Sequence, residues 1–146
     1  MVQEQQTAAY WALEQEIDAF IATSPDQYDA KYELEKARLA DLAKAGFDER
    51  ELDSKAKVLV RAEFFLGHMA DGSPKSKGRH NGALSRTYLG VLRALLSHSG
   101  DTRPSYDEIS EEAVCSMTTV GTALKALKSI GLSWENLRKV GREARP

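Results

Sequence analysis

Between Ser116 and Lys128 the chain gathers residue types suited to gripping a polyanion and touching the edge of a base pair: Ser116, Met117, Thr118, Thr122, Lys125 and Lys128. On a helix, positions 118, 122 and 125 share one face, because side chains three and four apart are neighbours. Serine and threonine hydroxyls donate to phosphate oxygens or base edges, and Met117 and the threonine methyls can contact thymine methyls. Lys125 and Lys128 can neutralise phosphates, and Gly121 on the same face leaves room for close approach. Further cations for phosphate contact are Lys75, Lys77, Arg79, His80, Arg86, Arg103, Arg138 and Lys139. The run KSKGRHNG (75–82) has the charge and expected flexibility of an arm laid in a minor groove. No Arg or Asn stands on the 117–130 helix for a bidentate base contact, so its discrimination among bases is expected to be modest.

Other chemistries find less support. A single cysteine, Cys115, allows no intrachain disulfide, and three scattered histidines give no zinc-ligand spacing. Cys115 reads as a core residue, and no metal or other cofactor is expected. Glu111, Glu112 and the other carboxylates occupy helix starts or solvent-facing positions, so no acid–base pair is assigned. Tyr10, Trp11, Phe20, Phe64 and Phe65 read as core or subunit interface. The expectation is a non-enzymatic binding protein.

Composition sets the frame for that chemistry. The chain has 146 residues, 42% apolar and 29% charged, which is ordinary for a folded domain with a real core. Its net charge of −2 hides an asymmetry. Residues 1–70 hold 8 basic and 14 acidic side chains, a net −6; residues 71–146 hold 12 and 8, a net +4. Nucleic-acid contact is therefore expected in the second half. No apolar run approaches the roughly 20 residues that span a bilayer, and MVQEQQTAAYW lacks a signal-peptide pattern, so membrane partners are not expected and a reducing cytoplasm is.

The elements that must position these residues are marked by their caps. Tyr10, Leu13, Ile17 and Phe20 repeat at three and four, which predicts a helix from about Gln3 to Ala22. Ser24-Pro25-Asp26-Gln27 opens a second helix, with Ser24 as cap and Gln27 completing a capping box, and Gly46 ends it. Asp48-Glu49-Arg50-Glu51 opens a third towards Met69. Its middle, Val58 to Gly67, is apolar on nearly every face and exceeds what a three-helix bundle covers, so a homodimer is expected. Residues 70–82 read as a basic linker, dividing a helical self-association or partner-binding region (1–69) from a second domain (83–146). There Ser85 caps a helix to about Ser97, with Tyr88, Val91, Leu92, Leu95 and Leu96 inward. Ser105-Tyr106-Asp107-Glu108 is a capping box for a helix to Ala113. Ser116 caps the next, to Ile130, which Gly131 ends. Ser133 caps a short last helix whose Trp134, Leu137 and Val140 share a face. The fold class is all-α.

Within this second domain Ile109 and Ala113 face inward on one helix, and Val120, Ala123, Leu124 and Leu127 form the inner stripe of the next. The stretch EISEEAVCSMTTVGTALKALKSIGL resembles the DNA-binding core of bacterial winged-helix and helix-turn-helix proteins of plasmid, phage or mobile-element type, over roughly residues 79–134. Glu108, Ile109, Ser116, Thr119, Val120, Ala123, Leu124, Leu127, Gly131 and Leu132 carry the likeness. The resemblance implies a helix-turn-helix that inserts residues 116–125 into a major groove. Two departures stand out. Val114 occupies the turn position that usually holds glycine, where a β-branched residue at positive φ is costly; a different, wider turn is expected. No strand pair follows Leu132, so the wing is expected to be reduced, absent or replaced by the last helix.

These readings converge on a double-stranded DNA-binding regulator of transcription in a bacterial or mobile-element genome. The runner-up is a plasmid or phage replication-initiation protein, engaging replication machinery. A third is an adaptor whose helix-turn-helix binds protein, such as RNA polymerase.

Overall fold

The computed structural model describes residues 9–43 and 46–142, and these are all-helical, with no strand among them. The first half contains α1 (Ala9–Ala12), α2 (Glu14–Ala22), α3 (Pro25–Leu42) and α4 (Glu49–Ala62), which continues into a 3-10 turn at Glu63–Leu66. The second contains α5 (Arg86–Leu96), α6 (Tyr106–Ala113), α7 (Met117–Ser129) and α8 (Trp134–Leu137). No helix among the described residues is long and apolar enough to cross a membrane.

Local chemistry sets most of these boundaries. Asp48 accepts the Glu51 backbone N–H, Ser85 that of Tyr88, and Ser116 that of Thr119. Each satisfies a donor that the helix start would otherwise leave open. Ser105 and Glu108 form a full reciprocal capping box. Two expected caps fail: neither Ser24 nor Ser133 makes a side-chain cap bond. At α3 Pro25 removes one open donor by itself, since it has no N–H. The single helix expected to Ala22 is interrupted at Leu13, and its expected start at Gln3 lies outside the described residues. The second helix stops at Leu42, short of Gly46, and the third turns 3-10 after Ala62 before reaching Met69.

The organising element is α5. It touches α3, α4, α6, α7 and α8, so its burial runs further round than one stripe. Leu89, Val91, Leu92, Ala94, Leu95 and Leu96 are all buried, whereas Tyr88, expected inside, is half-buried. Each fully buried leucine contributes about 1.5–3 kcal/mol relative to exposure. One contiguous core results, joining Ile17, Leu39, Leu59 and Phe65 of the first half to Leu84, Leu92, Ile109 and Leu127 of the second.

This packing removes the reason for expecting a dimer. The apolar stretch from Val58 to Phe65 is covered within one chain, by α3 along one side, by α5 on another and by α1 through Tyr10. The first three helices alone could not cover this stretch; the second half of the chain supplies the missing cover through α5.

The basic segment 70–82 folds back on the turn before it. Met69 N–H bonds Ser73 O, Lys75 N–H bonds Gly67 O, and Gly82 N–H bonds Leu66 O. Gly82 is buried, and a Cβ there would stand 2.3 Å from His68 O and 2.5 Å from Phe65 O, so only glycine fits.

Among the described residues three charged side chains are buried, Glu35, Lys55 and Glu63, the last paired with Lys31 at 2.8 Å. Glu35 on α3 takes both Nε and an Nη of Arg93 on α5, at 2.7 and 2.9 Å. Lys55 on α4 is only 1% exposed; its ammonium donates to His98 O at 3.2 Å and lies 3.7 Å over the Phe47 ring. Burial pushes the Lys55 pKa down to about 8, with Glu51 pulling it up and Arg142 pushing it further down. Folded Lys55 therefore releases its proton near pH 8, while in the unfolded chain it holds it to near 10.5. Between these values the unfolded state binds more protons, so stability rises with pH. Above about pH 10 Tyr10, kept protonated in the fold by burial, acts in the opposite sense. Urea unfolding between pH 7.5 and 10 should show the rise, and Lys55→Met should flatten it; an equal rise in Lys55→Met would refute this account.

Candidate nucleic-acid interface

The residues expected to do chemistry lie on α7 and around it. Helix α6 is set by its capping box and buries Ile109 against α5. A tight turn, Val114 to Ser116, then hands the chain to α7, which buries Val120, Ala123 and Leu127 on α5 and α6. Ile130 caps the far end and Gly131 follows at φ 93°, with Gly131 N–H bonded to Lys128 O and Leu132 N–H to Leu127 O. This is the left-handed stop that glycine adopts freely.

The far end of α7 is also held from the first half of the chain. Tyr10 N–H donates to Ile130 O at 2.9 Å, and the Trp11 indole N–H to Gly131 O at 2.8 Å. Asn136 on α8 donates to the same Gly131 oxygen at 2.8 Å. Carbonyls that a helix end leaves open are thus satisfied by α1 and α8.

The turn itself corrects an expectation. Val114 adopts the left-handed conformation, φ 54° and ψ 57°, as glycine would. No longer or wider turn is needed, because Ser110 fixes this one. Its carbonyl accepts both the Val114 and Cys115 N–H groups, and its hydroxyl donates to Cys115 O. Left-handed φ costs an L-residue about 1–2 kcal/mol. Val114 is 88% exposed, so replacing it sacrifices no burial. Glycine also enlarges the unfolded ensemble, which offsets about 0.4–1 kcal/mol. Val114→Gly should therefore raise stability by up to about 1 kcal/mol, a Tm gain of roughly 2–4 °C at this chain length. A Tm that falls would show the turn to be unstrained.

The outer face of α7 is one wall of an open groove of about 890 Å³. Thr118, Gly121, Thr122, Leu124, Lys125 and Lys128 line that wall. The other wall is Arg103, from the loop before α6, and Tyr106, at its start, with Leu132 and Ser133 just before α8 and Trp134 and Glu135 at its start. Thr118, Thr122, Lys125, Lys128 and Arg103 are thus brought together as expected, all exposed. Ser116 and Met117 are exposed just beyond, at the N-terminal end of α7, although the Ser116 hydroxyl is engaged with the Thr119 N–H and hydroxyl. Thr122 donates back to Thr118 O within the helix. Leu124, expected wholly inside, is half-buried and borders the groove.

Other expected residues sit apart from this groove. Lys75, Lys77 and Arg79 lie on the folded-back 70–82 loop, where Lys75 donates to Arg79 O and Arg79 to Asn81 O. They form a tied loop where a free arm was expected. His80 is exposed on that loop and Arg86 at the start of α5. Lys139 is exposed past α8, and Arg138 is occupied by the Asp101 carboxylate at 3.1 Å. Glu112, expected to face solvent, is held by His98, whose Nε2 lies 2.8 and 3.1 Å from its carboxylate oxygens. Cys115 is half-buried against the core.

Two groove residues escaped the sequence reading. Tyr106 looked like part of a cap, but its ring lies over Gly121 with the Arg103 guanidinium 5.2 Å from its centroid. A Cβ at Gly121 would stand 3.5 Å from the ring, an ordinary contact distance, so Tyr106 borders the room at Gly121. Trp134 looked like core, but it is only half-buried, its indole N–H points to Asp101 O at 3.4 Å, and it lines the groove. An aromatic at the first position of a capped helix was the available signal for Tyr106. Trp134 gave none, because its groove partners are contributed by another loop. Among the described residues no cluster of metal-ligating side chains occurs. Comparison with protein-family models, with curated proteins and with solved structures found no match to this chain.

Proposed function

We propose that the chain is a double-stranded DNA-binding protein that regulates transcription in a bacterial or mobile-element genome, with α6 and α7 acting as a helix-turn-helix. Helix α7 enters the major groove and presents Ser116, Met117, Thr118, Thr122 and Lys125 to it. The observation that carries this reading is the concentration of exposed hydroxyls and cations on the one face of α7 left uncovered by the core. The resemblance of 108–132 to bacterial helix-turn-helix cores agrees with that placement. Lysines and hydroxyls without a bidentate arginine or asparagine suit backbone holding more than base discrimination. Affinity is then largely counterion release, and log affinity falls linearly with log salt.

The test is binding of labelled duplex DNA across a salt series. A slope of about −2.7 or steeper is expected if Lys125, Lys128 and Arg103 each neutralise a phosphate, at about 0.9 per contact. Absence of binding at 50 mM salt would overturn the reading.

A further inference from the structure

The groove beside α7 has a second wall that a lone reading helix does not require. The two walls are built from different parts of the chain, and the second is fastened in place. Trp134 and Arg138 both reach Asp101, through its carbonyl and its carboxylate, and so tie the loop carrying Arg103 to α8. Arg103 is then laid over Tyr106, whose ring rests against Gly121 of α7. The guanidinium stands on a preset shelf, which reduces the side-chain ordering needed to meet a ligand. Ser133 adds a hydroxyl that makes no cap bond.

Dimensions give this wall a ligand. A helix with its side chains is about 10–12 Å across and the major groove about 12 Å wide, so an inserted helix fills it. The two sugar–phosphate strands must then run along the sides of the helix. On one side of α7 the protein offers an open trough, with Lys125 and Lys128 on one wall and Arg103 on the other. We propose that Arg103, Tyr106, Ser133 and Trp134 form a second DNA-contacting ridge, and that the groove between it and α7 seats the sugar–phosphate strand flanking the major groove. This rests on the duplex-DNA reading above. One residue opposes it: Glu135 lines the same wall and places a carboxylate beside the seated strand. Glu135 therefore weakens binding, and its charge becomes the probe of the ridge.

The experiment measures binding of full-length protein to one labelled mixed-sequence duplex across 50–300 mM salt. Glu135→Lys replaces the opposing anion by a cation against the strand. It should steepen the salt slope by about 0.9 and tighten binding roughly tenfold at 50 mM. The control is Glu33→Lys, the same charge change on the exposed outer side of α3, which should leave the slope unaltered. Arg103→Ala should flatten the slope by about 0.9. Gain of affinity in Glu135→Lys cannot come from misfolding, so the result survives any instability of the Arg103 variant. If Glu135→Lys matches Glu33→Lys, the ridge does not face DNA and the inference falls. If that happens while substitutions at Lys125 and Lys128 still lower the slope, the DNA reading stands alone. If the parent chain shows no salt-dependent binding, both fall together.

Discussion

Arg93→Ala should lower stability by about 3–5 kcal/mol, the usual cost of stranding a buried charge. Glu35 is 5% exposed and its carboxylate is gripped by two Arg93 nitrogens in the fork geometry that arginine alone provides. Without Arg93 the nearest cation is Arg38, half-exposed and 3.8 Å from one carboxylate oxygen. That contact moderates the loss but does not replace a bidentate pair. Glu35→Ala should cost a similar amount, because the Arg93 side chain is only 19% exposed. The double replacement Glu35→Met with Arg93→Leu should restore most of the stability, since it buries no charge and roughly keeps the volume. Urea denaturation of the parent, Glu35→Met, Arg93→Leu and the double variant forms a double-mutant cycle with a large coupling energy. Single variants that each lose under 1 kcal/mol would show that the pair is effectively solvated. The pair matters to the interface because it ties α3 to α5, the helix on which α6 and α7 rest.

Joint replacement of Lys125 and Lys128 by alanine should produce the largest effect on DNA affinity. Two phosphate contacts at about 0.9 each lower the salt slope by about 1.8. Counterion release vanishes towards 1 M salt, so at 50 mM that slope difference amounts to a loss on the order of a hundredfold. The gap should close as salt rises, and binding should weaken evenly across duplex sequences, since phosphate contacts carry no base information. Both lysines are exposed, and surface substitutions of this kind usually change stability by no more than about 0.5 kcal/mol. Circular dichroism and urea midpoints should therefore match the parent protein. A double variant that binds as tightly as the parent at 50 mM would remove α7 from the proposed interface.

What could be read in the sequence was local. Asp48, Ser85, Ser105 and Ser116 are caps because a short polar side chain reaches a backbone N–H three residues on, and that needs no tertiary knowledge. The failures at Ser24 and Ser133 show the limit, since a cap-forming residue type permits the bond without compelling it. Val114 failed in another way. Its propensity argued for an altered turn, but Ser110 binds the turn from both ends and imposes the left-handed conformation that valine disfavours.

By itself, then, the sequence determined an all-α chain, most of its helix starts, and the helical face bearing Thr118, Thr122 and Lys125, because periodicity and caps act within one or two turns. Tertiary structure decided which charges are buried and which surfaces meet. Glu35 and Arg93 are 58 residues apart, and Trp11 and Gly131 are 120 apart. The apolar stretch after Val58 is covered by α5, which lies beyond the loop, and so needs no second chain. Arg103 and Trp134 become one wall only because the Asp101 loop and α8 meet in space. Such pairings depend on how helices close around a shared core, and no periodicity along the chain encodes which distant partner arrives.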